Sequence, residues 1–293
     1  MLLLSPENWN DYSLIDCGNF QKLERFGNYV TIRPEPQAIW TPVLSAKEWG
    51  QQAHVVFEQR SSAAGVWKKL KEMPDQWRIQ YPLRTLSKSA GFTLRLGLTS
   101  FKHVGVFPEQ AVNWDYIAKA VKSIKNEQPR FLNLFAYTGG ASLAAAAAGA
   151  VVTHVDSIKQ VITWANQNAE LSNLQNIRWV VEDALKFVKR EIKRGNTYHG
   201  IILDPPAYGH GPEGEKWKLE EQLNEMVSGV LKLLNPEQHF LILNTYSLGL
   251  SAMVVENLLS PYAGKNLETG ELFLSAQSGV KLPLGVFGRF VKN

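Results

Sequence analysis

The sequence predicts an α/β protein: a doubly wound, mostly parallel sheet with an antiparallel C-terminal strand, preceded by a small β-rich domain. Three observations carry this. From residue 131 onward, short continuous apolar runs alternate with helix-length segments, the pattern of strands covered on both faces by crossover helices. The tail instead offers ELFLSA and GVFGRFV, two β-rich runs with no helix between them. Residues 1–105 read as short strands punctuated by Gly27, Pro34, Pro36 and Pro42.

In the first third, LIDC, GNYVTIR and HVVFEQR are β-rich, and GFTLRLGLTSF (91–101) alternates through Phe92, Leu94, Leu96 and Leu98. Ala111–Lys125 has helical character, and Pro129 resets the chain. FLNLF (131–135) is then a buried strand, and a Gly-Gly turn opens the helix SLAAAAAGA. VVTHVD pairs with a helix over 158–171, IRWVV (177–181) with 184–194, and GIILD (200–204) with 217–234 after a glycine-rich loop. HFLILN (239–244) is followed by a helix over 250–259. The expected division is an N-terminal accessory or substrate-recognition domain, 1–105, and a C-terminal domain, 106–293.

The 293 residues are 45% hydrophobic and 20% charged, an ordinary balance for a protein with a large core. No run approaches 18 apolar residues, so no transmembrane helix is expected, and MLLLSPENWN lacks the basic flank and apolar length of a signal peptide. A single cysteine, Cys17, excludes an internal disulfide and a cysteine-based metal site. A soluble, cytoplasmic protein without a metal is expected. The net charge of +4 lies in residues 1–105, with Trp9, Trp40, Trp49, Trp67 and Trp77. That mixture suits a surface that neutralises phosphates and stacks bases. It equally suits ordinary charge around an aromatic core.

In an open parallel sheet, ligands bind beyond the carboxyl ends of the strands. After the first strand come Phe135, Ala136, Tyr137, Thr138, Gly139 and Gly140. The glycines admit close approach, and the helix start beyond them favours an anion. Asp156 ends the second strand, where an acid grips a ribose diol, and Glu182 and Asp183 end the third. A dinucleotide and S-adenosylmethionine (SAM) both fit an acid after the second strand. The G-x-G-x-x-G fingerprint is absent from F-A-Y-T-G-G-A-S, and an acid after the third strand suits an adenine amine, which favours SAM. The plainer alternative is that Asp156 and Asp183 cap helices.

Asp204-Pro205-Pro206-Ala207-Tyr208 ends the fourth strand. Two prolines hold the chain extended without N–H groups. A carboxylate beside them can orient an amine and take its proton, and an aromatic beyond can stack on a planar base. The plainer alternative is a rigid strand exit. Residues 208–214 then read as a flap, with His210 as a solvated loop residue.

LNLFAYTGGASLAAAAAGA, HVDSIKQVITWANQNAELS, IRWVVEDALKFVKRE and IILDPPAYGHGPEGE together resemble the class I SAM-dependent methyltransferases. They are most similar to the bacterial 23S ribosomal RNA cytosine methyltransferase branch, over roughly residues 90–250 and including HVGVFPEQAVNW. The resemblance implies a Rossmann-like domain over 106–293 that binds SAM. It implies that Phe107 and Gln110 lie against the cofactor, and that Asn133, Phe135, Tyr137, Thr138 and Gly139 surround its methionine. Asp156 would hold the ribose, with Ser157 and Lys159 nearby, and Asp183 the adenine amine, with Glu182 beside it. Asp204 and Pro205 would face the methyl group, with Tyr208 toward the substrate.

Relatives that methylate cytosine carbon 5 carry a cysteine about where this chain has Ser247. A serine hydroxyl is a far weaker nucleophile without an activating base. The expected function is therefore methyl transfer without a catalytic cysteine to a nucleic-acid base, ribosomal RNA foremost, at an exocyclic nitrogen. The alternatives are a protein or small-molecule acceptor, and a SAM-binding module without catalysis. A nicotinamide oxidoreductase is disfavoured by the missing third glycine.

Overall fold

The computed structural model describes residues 1–60, 64–87, 89–246 and 249–292. The chain opens with β1 (Leu2–Leu4), β2 (Tyr12–Gly18), β3 (Gln21–Phe26) and β4 (Tyr29–Pro34), followed by α1 (Ala46–Gln52), β5 (Val55–Gln59) and β6 (Gly65–Lys69). A hairpin of β7 (Gln76–Pro82) and β8 (Gly91–Gly97) leads to α2 (Ala111–Ser123). The alternating part runs β9 (Arg130–Leu134), α3 (Gly140–Ala147), β10 (Val151–Asp156), α4 (Lys159–Leu171), β11 (Ile177–Val181), α5 (Ala184–Lys193) and β12 (Gly200–Leu203). A short hairpin, β13 (Tyr208–His210) and β14 (Lys216–Lys218), precedes α6 (Leu219–Leu231), β15 (His239–Thr245), α7 (Ala252–Ala263), β16 (Glu268–Ser275) and β17 (Lys281–Lys292).

The large sheet has eight strands in the order β1-β16-β17-β15-β12-β9-β10-β11. From β11 to β15 every pair is parallel, and β17 runs antiparallel to both β15 and β16. The chain crosses over after β11, from one flank of β9 to the other. The carboxyl ends of β9 and β12 therefore border the switch point where such sheets bind ligands. Every predicted strand and helix of 131–293 is present. The segment read as a flap is the β13–β14 hairpin.

In the N-terminal third, β2, β3, β4, β5 and β6 form a five-stranded sheet. Sequence reading missed β1, β3, β6, β7 and α1. The α1 signal was there to read: Ser45 accepts from the Glu48 N–H while the Glu48 carboxylate accepts from Ser45 N–H at 2.7 Å, a reciprocal cap. Strand β1 lies on the edge of the large sheet, parallel to β16. The β7–β8 hairpin lies on α4, where Asn168 Oδ1 accepts from Arg95 N–H at 2.8 Å. All five early tryptophans donate their indole N–H within the protein: Trp9 to Gln80 O, Trp40 to Cys17 O, Trp49 to Asp16, Trp67 to Thr99 O and Trp77 to Phe26 O. Trp9 and Tyr81 meet Trp114 of α2 edge-on, at 5.7 and 4.9 Å between ring centroids. The five indoles thus serve packing within the N-terminal part, and Trp9 also joins it to α2.

Gly200 shows how tightly the central strand is filled. A Cβ there would overlap the Phe240 and Phe131 rings, which stack on each other at 5.9 Å. Gly200→Ala is expected to cost about 2 kcal/mol through overpacking, a Tm loss of roughly 4–8 °C by calorimetry. An unchanged Tm would show that the two rings yield freely.

Candidate active site

At the carboxyl ends of β9 and β12 lies a cleft of about 470 Å³. Its walls include Phe107, Gln110, Asn133, Phe135, Tyr137, Thr138, Gly139 and Asp204. The turn after β9 is strained in a specific way: Phe135 and Tyr137 both have left-handed φ, at 56° and 49°, and Gly139 at 93°. Asp156 stabilises this shape from β10. Its Oδ2 accepts from Tyr137 N–H at 2.9 Å and its Oδ1 from Ile158 N–H at 3.0 Å. From the other side, Thr138 donates its hydroxyl to Gly105 O at 2.7 Å, and Asn168 donates to Thr138 O at 2.9 Å. These bonds tie the segment that carries Phe107 to the turn, and Phe107 packs on Tyr137 at 5.2 Å.

Beneath the turn, Asn133 Nδ2 donates to Ser142 Oγ at 3.0 Å, and Ser142 meets His154 Nδ1 at 2.9 Å. Burial pushes the His154 imidazole down to about 3, so it stays neutral. Helix α3 begins at Gly139 with no side-chain cap, leaving its first N–H groups to the cleft. Gly140 must lack a Cβ because the Trp114 ring occupies that space.

Asp204 closes the floor. Asn244 Nδ2 donates to one of its oxygens at 2.8 Å and Gln110 Nε2 to the other at 3.2 Å, while Gln110 Oε1 accepts from Asn113 at 2.8 Å. Two amide donors favour the carboxylate, yet desolvation outweighs them and pushes the carboxyl up to about 6. Asp204 is thus ionised near neutrality with a raised affinity for a proton, the condition of a general base.

The chain belongs to the SAM-dependent methyltransferases. The SAM-dependent methyltransferase from Agrobacterium tumefaciens superimposes with a TM-score of 0.91 at 37% identity, over 100% of this chain and 94% of that one. Residues 113–242 match the family model "Conserved hypothetical protein 95". The ribosomal RNA large subunit methyltransferase K/L of Shewanella frigidimarina is 29% identical over 64% of this chain, and that of Pseudoalteromonas translucida 31% over 50%. The chain spans only 25% and 20% of those two relatives. A candidate SAM-dependent methyltransferase from Streptococcus mutans, 18% identical, shares the fold, with a TM-score of 0.71 over 97% of this chain and 76% of that one.

The cofactor is SAM, and the residues of this methyltransferase fit it. The open α3 N-terminus suits the methionine carboxylate. Asp156 stands behind the turn rather than in the cleft wall; it accepts from the backbone N–H groups of Tyr137, Ile158 and Ser157 and has lone-pair capacity left for a diol. Other expected site residues lie outside the cleft walls. Asp183 caps α5 by accepting from Lys186 N–H at 2.9 Å. Both Glu182 oxygens meet Arg190, each at 2.6 Å. Ser157 is half-buried and Lys159 exposed at the start of α4. Pro205 is buried, and its carbonyl has no partner among the described residues. Tyr208 and His210 are both exposed, and the Tyr208 hydroxyl meets His210 Nε2 at 3.0 Å. Ser247 lies outside the described residues.

The sequence reading did not single out Trp114, Asn244 or Trp217. Asn244 lies one residue before the end of β15 and was findable by the strand-end rule. Trp217 donates to Pro206 O at 2.7 Å and packs on Phe135 at 4.9 Å, folding the β13–β14 hairpin back toward the site. Lys186 of α5 anchors that hairpin through Glu213, at 2.8 Å, and Glu215. Among the described residues there is no cluster suited to a metal and no helix long and apolar enough to cross a membrane.

Proposed function

We propose that this methyltransferase acts on a base of RNA, ribosomal RNA foremost, at an exocyclic amine and without a cysteine nucleophile. The observation that carries the reading is Asp204, held in the SAM cleft by the amides of Asn244 and Gln110. Bound SAM supplies an electrophilic methyl on a sulfonium, a good leaving group. Asp204 then orients the acceptor amine and takes the proton it sheds as its nitrogen lone pair forms the new C–N bond. The Pro205 carbonyl, fixed between prolines, accepts from the same amine. Cys17 is no substitute thiolate, because it is fully buried in β2 and burial pushes its thiol up to about 11.

The names of the K/L relatives support a ribosomal RNA acceptor. In this reading the SAM-binding domain is 106–293, with Asp156 on the ribose, Asp183 at the adenine and Tyr208 toward the substrate. Residues 1–105 assist RNA binding, in the cytoplasm. The exposed cations of the β5–β6 hairpin are the natural contacts. Lys69 is engaged with Asp75 at 2.7 Å, whereas Lys68 is 62% exposed and its Glu58 partner stands at 3.5 Å. Lys68→Glu with Arg60→Glu is expected to weaken RNA binding and to reduce the salt slope by about 2. Filter binding across salt concentrations reads this, and an unchanged slope would remove the hairpin from the RNA contact.

Transfer of tritiated methyl from SAM into fractionated lysate of a host lacking the gene tests the function, with Asp204→Ala as control. Label in RNA that vanishes with the variant supports the reading. Label in protein or small molecules would replace the acceptor. Bound SAM with no label anywhere would contradict catalysis.

A further inference from the structure

Beside the SAM cleft lies a second recess, about 350 Å³ with its opening to solvent included, between the five-stranded sheet and the strand ends of the large one. Val106 and Phe107 line both spaces, so the two adjoin. On the N-terminal side Lys22, Arg33 and Glu35 are paired. Lys22 meets Glu35 at 3.1 Å, Arg33 meets Glu24 at 2.6 Å, and Tyr246 donates its hydroxyl to Glu35 at 2.9 Å.

One carboxyl is left over. Glu109 lines this cavity and is 4% exposed. Among the described residues, no side chain donates to it, and its hydrogen bond is with its own backbone N–H. An unpaired buried carboxyl is costly and persists where a ligand completes it. Its place in the chain is informative. Pro108–Gln110 is a single 3-10 turn, so Gln110 reaches Asp204 in one space while Glu109 enters the other.

We propose that the second cavity receives the acceptor base and that Glu109 reads its amidine edge, a ring nitrogen beside an exocyclic amine. This rests on the RNA methyltransferase reading above. A neutral carboxyl donates O–H to the ring nitrogen and accepts one amine N–H, leaving the other N–H to a bond shared by Asp204, which takes the proton, and the Pro205 carbonyl. Phe107, Pro108 and Leu284 offer apolar cover for the ring faces, as pockets for extruded bases do.

Burial pushes the Glu109 carboxyl up to about 7, Asp204 and Glu35 push the same way, and Lys22 opposes them. Arg33, Lys102 and His103 also face the cavity, with His103 driven down to about 3 chiefly by burial. Activity then rises as Asp204 ionises near pH 6 and falls as Glu109 ionises near pH 7, a bell-shaped profile.

The test uses the full chain and ribosomal RNA from a host lacking the gene. Methyl transfer is followed across pH for wild type, Glu109→Ala and Glu109→Gln, together with SAM affinity. Glu109→Ala is expected to lose on the order of 100-fold in kcat/KM with unchanged SAM affinity. Glu109→Gln keeps a donor and an acceptor but does not titrate. It should stay within about 5-fold of wild type near pH 6 and lack the falling limb. Wild-type activity in Glu109→Ala, a glutamine variant as poor as the alanine one, or weakened SAM binding in both would overturn the assignment. A wild-type protein that methylates only protein or small molecules would overturn the underlying reading instead, and the base assignment with it.

Discussion

Asp204→Asn is expected to lower kcat for methyl transfer on the order of 1,000-fold and, above pH 7, to make the protein more stable. The loss of rate follows from removing the group that accepts the amine proton, for which general base catalysis contributes roughly 100- to 10,000-fold. SAM affinity should change little, since the asparagine side chain keeps the shape of the floor. The gain in stability comes from the same carboxyl. Its pKa is raised from 3.8 to about 6 by burial, so the folded state holds a proton that the unfolded chain has released. Raising the pH from about 4 to 6 therefore erodes stability, and above 6 the full penalty is present. About two pH units would correspond to roughly 3 kcal/mol. Because Asp204 keeps contact with the cleft, and an asparagine oxygen can serve only one of the two amide donors, about 1 kcal/mol is the expected gain for the asparagine variant at pH 8, vanishing near pH 4. Thermal unfolding at the two pH values checks this. Equal stability of both proteins at pH 8 would show that the carboxylate is well compensated where it stands.

Asp156→Ala should weaken SAM binding on the order of 100-fold, by losing charge-assisted bonds to the ribose. It should also loosen the turn, since Tyr137 N–H and Ile158 N–H both lose their acceptor. Left-handed φ at Phe135 and Tyr137 is costly without that support. Asp156→Asn separates the two effects. Its single oxygen can hold one backbone N–H, but its amide turns a donor toward the other. Calorimetric titration with SAM and with adenosine reads the difference. Equal losses for both ligands place the defect at the ribose; a larger loss for SAM places it at the methionine turn. Unchanged affinity would remove Asp156 from the site.

The catalytic half of the fold was legible because its strands are buried on both faces. FLNLF and HFLILN have no other plausible place than the centre of a covered sheet. The N-terminal third was harder to read. Strand β3, QKLERF, looks polar, yet Lys22 and Glu24 are buried, Lys22 against Glu35 and Glu24 against Arg33. Their partners lie on other segments, which local pattern cannot reveal. Leu2–Leu4 resembled a failed leader rather than an edge strand, because its partner β16 lies more than 260 residues away. Glycine turn chemistry and the strand-end rule led to Gly139 and Asp204, which line the cleft, and to Asp156, which braces the turn behind it. Asn244 and Glu109 were overlooked because an asparagine or a glutamate acquires meaning only from what it faces. Glu182 shows the converse: it stands at a strand end, as an adenine acceptor would, but Arg190 occupies both of its oxygens.

In the proposed function Asp204 directs methyl transfer to an RNA base. Its most direct test is nucleoside mass spectrometry of digested ribosomal RNA from a host lacking the gene, complemented with wild type or with Asp204→Asn. One N-methylated nucleoside is expected that wild type restores and the asparagine variant does not. A nucleoside restored equally by both, or one methylated on carbon 5 of cytosine, would contradict it.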